Sequence, residues 1–194
     1  MNTLLIATRE KGKMDELLSI IGNLNYKLVT LEDINFPKTE PKEKNHSFAE
    51  NALIKAKYYG LKSGLKTLAD DSGLIIDALP NKLGVRSKRY KKGTDIDRYR
   101  QLLKDLKNIP PAKRTARFIS AVAFYDPQTK IIKTTKGVCE GSIALAPKGN
   151  NGFGYDPVFI VKALNKHFAE ITMEEKNQVS HRGIALRKML KFLI

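Results

Sequence analysis

Two adjacent carboxylates, Asp70 and Asp71, stand between apolar runs in Thr67-Leu68-Ala69-Asp70-Asp71-Ser72-Gly73-Leu74-Ile75-Ile76-Asp77. Side by side they repel unless a cation, a donor or a proton stands between them. Such a pair serves either as a metal and general-base site or as a solvated turn. With Ser-Gly directly after them, the pattern predicts a buried strand that ends at a polar corner. The chain then turns back into a second strand, the Gly supplying a conformation that other residues avoid.

Other stretches carry groups with chemistry open to them. Residues 3–8 read as a buried strand leading into Arg9-Glu10-Lys11-Gly12-Lys13. Met14, Leu17, Leu18 and Ile21 follow at helical spacing. A strand, a Gly-containing turn and a helix present free N–H groups at the helix start, a phosphate site, with Lys11 and Lys13 beside it. The Walker A spacing is absent. In the loop Pro147 to Pro157, three glycines lie with Phe153, Tyr155 and Asp156. Backbone can approach a ligand there and an aromatic can stack on a planar ring. Ser180-His181-Arg182-Gly183 places two cationic side chains in the first turn of a C-terminal helix, against the helix dipole, which suits an anionic or carbonyl-bearing ligand.

The elements that must position these groups are legible in outline. Residues 27–31 read as a second strand, followed by a polar loop with Glu40 and Glu43. Ser47-Phe48-Ala49-Glu50 is a capping box, and Asn51 and Lys55 share one face of the helix it starts. The basic stretch Leu83 to Tyr90 reads as a compact loop. Thr94 starts another helix, which Pro110-Pro111 ends. Residues 115–125 and 130–138 read as an antiparallel hairpin, with a separate short strand at 142–145. Thr172 to Glu175 is a second capping box, opening a short helix that carries Lys176.

The chain has 194 residues, 42% apolar, with a formal charge of +15. That charge favours anionic partners: nucleic acid, a membrane surface or phosphorylated small molecules. It is spread along the chain without one long basic tail. The single cysteine, Cys139, allows no intramolecular disulfide. The opening residues lack the pattern of a signal peptide, and no stretch reaches the roughly 20 apolar residues of a membrane span. The expectation is a cytoplasmic protein without membrane contact.

The motifs, taken together and in order, resemble the inosine/xanthosine triphosphate pyrophosphatase family. ATREKGKMDEL resembles its opening phosphate loop, SFAENALIKA its first helix and LADDSGLIIDAL its signature. GVRSKRY, NGFGYDPVF and EEKNQVSHRG follow at similar spacing. The resemblance covers nearly the whole chain. It implies an α/β fold: a long mixed central sheet with flanking helices, in one domain whose two lobes surround a substrate cleft. It implies hydrolysis of ITP, dITP and XTP to monophosphate and pyrophosphate, with Mg2+, by a homodimer.

Carried over by residue, the resemblance makes Asp71 the catalytic base and a magnesium ligand, with Asp70 beside it and Ser72 contacting substrate. Thr8, Arg9, Glu10, Lys11, Gly12 and Lys13 would hold the triphosphate, with Lys55 and Lys176 as further phosphate partners. Phe153, Gly154, Tyr155 and Asp156 would form the base pocket, and His181 and Arg182 would meet the purine's polar edge. The chain departs from the pattern at three places. Glu10 stands where Asn is usual. Either Glu40 or Glu43 would supply the second metal-binding carboxylate. Arg86 and Lys88 replace an aromatic and a small residue. A Maf-type nucleotide pyrophosphatase shares the general chemistry, but NGFGYDP and SHRG argue against it. A nucleic-acid-binding protein would explain the charge and leave Asp70-Asp71 unexplained, which argues against nucleic acid as the partner.

Overall fold

A computed structural model of the chain describes residues 2–22, 25–43 and 47–193. Seven strands form one sheet: β1 (Asn2–Ile6), β2 (Tyr26–Thr30), β3 (Lys66–Ile76), β4 (Thr115–Tyr125), β5 (Ile132–Ile143), β6 (Phe159–Val161) and β7 (Lys166–His167). Their order is β2-β1-β3-β4-β5-β6-β7. β1 runs parallel to β2 and β3, and the remaining neighbours are antiparallel. The helices are α1 (Lys11–Ile21), α2 (Phe48–Ser63), α3 (Asp95–Asp105), α4 (Met173–Val179) and α5 (His181–Leu193). The expected mixed α/β sheet with flanking helices is present.

The expected corner at Asp70 to Gly73 is absent. β3 passes straight through it, because β4 pairs with it without a break from Thr67↔Tyr125 to Ile76↔Ala116. Gly73 has no left-handed conformation. It is required for a different reason: a Cβ there would collide with the Gly84 carbonyl. The turn at Gly84 to Arg89 docks on this bare backbone through Ser87, whose Oγ accepts from Leu74 N at 2.9 Å and donates to Gly84 O at 2.6 Å. Likewise β5 is one continuous strand, not a hairpin arm and a separate short strand, since its partner β4 runs on to pair Thr115 with Ser142. α3 ends at Asp105, ahead of Pro110.

Strand periodicity sorts the core onto two faces. Leu68 joins Leu4, Ile6, Val122 and Phe124 against α1 and α5, which contribute Leu17, Ile21, Ala185, Leu186 and Met189. Ala69 joins Leu5, Ala7, Ala121 and Ala123 against Ala52, Ala56 and Tyr59 of α2. A third cluster packs Leu102 of α3 and Leu106, just after it, against Leu74, Phe118, Phe159 and Phe168.

Small residues at one level of the sheet bring α5 close. Ser72, Ser120 and Gly137 are register neighbours across β3, β4 and β5. A Cβ at Gly137 would strike the His181 carbonyl. Because nothing stands in the way, the start of α5 rests directly on the strands. Gly137→Ala is therefore expected to cost about 1–3 kcal/mol by overpacking, read as a lowered urea midpoint at unchanged m-value. An unchanged midpoint would mean that α5 does not rest on the sheet there.

Candidate active site

β1 pairs with β3 only as far as Ile6↔Leu68, and the chain then leaves the sheet at Thr8. β3 continues, so Asp70, Asp71 and Ser72 lie just past the end of β1, where ligands bind in α/β sheets. A cleft opens over them. One half is lined by Thr8, Lys13, Glu40, Glu43, Lys55 and Asp71. The other is lined by Phe153, Tyr155, Asp156, Lys176, His181 and Arg182. Glu10, Lys13, Ser72 and Lys88 line both halves.

The strand pleat sends the two carboxylates to opposite faces. Asp71 meets α2: Asn51 Nδ2 donates to its Oδ2 at 3.1 Å and Lys55 Nζ to its Oδ1 at 2.8 Å. The shared face of Asn51 and Lys55 is thus turned onto the carboxylate. Lys55 Nζ also pairs with Glu43 at 2.7 Å. Asp71 is raised above its ordinary range because burial outweighs the pull of Lys55, Lys13 and Asn51. Asp70, on the other face, pairs with Lys13 at 3.4 Å and accepts from Arg182 Nε at 3.2 Å. Against its burial, Lys13, Arg182 and Lys55 hold it well below the usual carboxylate range.

The opening loop is only partly gathered into the cleft. Thr8 Oγ1 accepts from Glu10 N at 3.2 Å. Glu10 sits at the N-cap of α1 without capping it. Its carboxylate pairs with Lys88 at 3.0 Å and Lys13 at 3.8 Å. Arg9 lines the cleft while its guanidinium donates to Pro37 O at 2.7 Å. Lys11 points elsewhere, highly exposed and paired with Asp15 at 2.9 Å. Gly12 abuts the Phe153 ring, which a Cβ would strike.

At the other end, Lys176 is buried beside the loop that carries Phe153 and Asp156, while Lys55, with which the resemblance grouped it, lines the other half. It pairs with Asp156 and, at 2.7 Å, with Glu16, and lies 4.9 Å from the Phe153 ring centre. Asp156 also accepts from Phe153 N at 2.9 Å. Burial pushes Asp156 up, against the pull of Lys176. Arg182 is held by Glu16 and Asp70 and donates to Ser72 Oγ at 2.9 Å. His181 stacks on Phe118, centroids 4.7 Å apart and planes at 12°. The expected cationic pair at the start of α5 is one cation only: burial, then Arg182 and Lys176, lower His181 well below its ordinary value and leave it neutral.

Sequence reasoning missed three groups here. Glu16 is fully buried and binds both Lys176 and Arg182. The available signal was its place three residues after Lys13 on the α1 face that carries Leu17. Asp95 and Arg98, at the start of α3, line the aromatic half; Asp95 accepts from Gly154 N at 2.8 Å, fixing a residue at φ 64°.

Among the described residues no group of three or more His, Cys, Asp and Glu is gathered closely enough to hold an ion. Asp71 and Glu43 nevertheless converge on one cation, the Lys55 ammonium, while Glu40 lines the same half exposed. Two hard oxygen donors beside a space for phosphate suit a Mg2+-like ion, which takes one or two carboxylates and completes its shell with water and phosphate.

A carboxylate-floored cleft with cations at one end and an aromatic pocket at the other defines an α/β protein built for a flat, polyanionic ligand. The Ham1 family matches residues 4–192, and the chain belongs to it. It is 42% identical over 196 residues to the dITP/XTP pyrophosphatase of Halalkalibacterium halodurans, covering 100% of both chains. Identity is 40% over 193 residues to that of Dictyoglomus thermophilum, covering 98% of this chain and 93% of the other. The solved HAM1 protein of Coxiella burnetii matches with TM-score 0.87 and 37% identity, over 100% of this chain and 98% of that one.

His181 gives the fold a pH dependence. Its unfolded pKa is near 6.5 and its folded value lies lower, so the unfolded chain binds the extra proton. Its contribution to stability is complete above about pH 6.5 and falls as pH drops, by up to about 1.4 kcal/mol per pH unit. Urea midpoints should decline as pH falls below about 6.5. His181→Phe, which keeps the stack on Phe118, should flatten that decline; the same slope in both proteins would show that His181 does not titrate with unfolding.

Proposed function

We infer that the chain is a nucleoside-triphosphate pyrophosphatase: it hydrolyses non-canonical purine nucleoside triphosphates, ITP, dITP and XTP, to monophosphate and pyrophosphate. The observation that carries the reading is Asp71, a buried carboxylate raised by burial in the cationic half of the cleft, next in sequence to Ser72, which lines both halves. The names of the 40–42% identical relatives support the substrate class. We read the 194 residues as one catalytic domain with two lobes, acting in the cytoplasm as a homodimer. No helix among the described residues is long and apolar enough to cross a membrane.

In this reading Asp71 orients a water in line with the α-phosphorus and takes its proton. A carboxylate with a raised pKa is a better base than an ordinary one at neutral pH. Lys13 and Lys55 neutralise phosphate charge, and the uncapped N–H groups of α1 hold the departing pyrophosphate. Lys55 then exchanges its carboxylate partners for phosphate. Asp71 and Glu43, with Glu40 nearby, would hold Mg2+, which supplies further neutralisation of the phosphates when bound. Thr8 and Arg9 shape the phosphate loop, while Lys11 has no contact with the cleft.

The purine stacks on Phe153, within the turn that Gly154, Tyr155 and Asp156 fix. Tyr155 is anchored through its hydroxyl to Ser87 O at 2.7 Å. Three of the five N–H donors of Arg182 are committed to Glu16, Asp70 and Ser72. The remaining donors, Lys176 and the neutral ring of His181 face the purine edge. A 6-keto oxygen accepts from such donors, and adenine's amino group leaves them unpaired. Sites of this kind reject the wrong partner by up to ~10⁴–10⁵-fold.

Pyrophosphate release measured with Mg2+ over ITP, dITP, XTP, GTP and ATP tests the reading; release from the first three with little from ATP is the expected outcome, and none from any would end it. Asp71→Asn should lower kcat by about 10²–10⁴-fold at an unchanged urea midpoint. Near-normal turnover would remove Asp71 from the chemistry. Asp95→Ala should raise KM for ITP several-fold with kcat nearly unchanged, and Asp95→Asn should restore much of it. A loss confined to kcat would contradict its place as the support of the base loop.

A further inference from the structure

The net charge of +15 has no long basic tail, yet it is unevenly distributed along the chain. Residues 82–114 hold twelve Lys and Arg against three Asp, nine of the fifteen net charges. The fold draws many of them onto one face. Tyr90 binds Asp105, tying the segment after the Gly84 to Arg89 turn to the end of α3. Arg98 Nη1 donates to Gly93 O at 2.8 Å, tying it to the start. Asp97 is held low first by Thr94 and then by Arg100 and Lys91. Asp105, against its own burial, is held low by Tyr90 and Gln101 and then by Lys82 and Lys104. Lys91 and Arg100 therefore lie near Asp97, and Lys82 and Lys104 near Asp105, while helical spacing puts Asp97, Arg100 and Lys104 on one face of α3. All four are exposed, as are Arg86 and Lys92. None of the six lines the cleft, and none has a salt bridge among the described residues.

We propose that this face binds the phosphate backbone of duplex nucleic acid, outside the cleft and independently of sequence. Two carboxylates among so many cations leave a net positive surface, and polyanion binding releases condensed counterions. The chemistry favours a duplex over a single strand. Single-strand binders present aromatic platforms for stacking, whereas Tyr90 and Tyr99 are half-buried against the α3 core. A membrane surface is disfavoured because Ile96 is the one large exposed apolar side chain of this stretch. Contacts are to phosphate alone, so they position the protein on nucleic acid and leave the nucleotide cleft open.

The test is fluorescence anisotropy of a labelled DNA duplex of arbitrary sequence, titrated with the full chain across salt. Four phosphate contacts predict a log–log salt slope near −3.6, about 100-fold weaker binding at 200 than at 50 mM salt. The triple variant Lys91→Gln, Arg100→Gln, Lys104→Gln should weaken binding at least about tenfold at 100 mM salt, with kcat/KM for ITP unchanged. Single variants Lys91→Gln and Lys104→Gln, each lowering affinity several-fold, serve if the triple variant does not fold. No binding at 50 mM salt, binding that survives these substitutions, or displacement of the duplex by ITP would overturn the proposal. So would binding to phosphatidylserine vesicles without binding to the duplex. Turnover of ITP by the same preparation separates this outcome from the fate of the pyrophosphatase reading.

Discussion

The site depends on β3 not turning where its sequence invites a turn. Two adjacent carboxylates inside a sheet are tolerable because the pleat separates them onto opposite faces, each with its own cations. Asp71 takes Asn51 and Lys55 from α2, while Asp70 takes Lys13 and Arg182 from α1 and α5. A one-residue slip of β3 against β4 would exchange the faces and leave both carboxylates buried without their partners. The long uninterrupted ladder to β4 and the small residues Ser72, Ser120 and Gly137 fix that register.

Behind Asp70 lies a buried set of ions that reaches the other end of the cleft. Arg182 joins Asp70 to Glu16, and Glu16 joins Arg182 to Lys176, which continues to Asp156. The members come from β3, α1, α5, α4 and the base loop. Such networks contribute little net stability compared with apolar packing, but losing one member leaves an unpaired buried charge. Their value here is positional. Lys13, paired with Asp70, and Lys176 are tied to the same rigid set, so the spacing of the two halves of the cleft is set by packed elements and not by loops alone.

The local chemistry of the chain was legible where periodicity and caps decide it. Helix starts at Ser47, Thr94 and Thr172 are where the hydroxyls predict them. The Asn51–Lys55 face could be read from spacing, though not its target. The corner at Asp70 to Gly73 was misread because Asp, Ser and Gly are turn residues locally, and only the distant partners β4 and Gly84 make them strand residues. Glu16 was missed for the same reason. Charged residues on a helix read as solvent-facing until a second helix with opposite charge is packed against them. The neutral state of His181 follows from burial among Arg182 and Lys176, which no local pattern announces.

Gly12 and Phe153 join these levels. The ring that supports the proposed purine contact lies against the first turn of α1, in space a side chain at position 12 would fill. Residue choice in the phosphate loop therefore constrains the aromatic of the base pocket, 141 positions away in the chain. Lys176 and Arg182 hold the same ring through their positive charge, at 4.9 and 5.8 Å from its centre. Both cations are in turn fixed by Glu16 of α1. One helix thus supplies the uncapped N–H groups proposed for phosphate, the bare backbone that admits Phe153 and the carboxylate that orients the cations beneath it. A ligand that engages phosphate and base at once meets two surfaces of a single rigid element, which is what a site must offer to select a base while acting on a bond several atoms away.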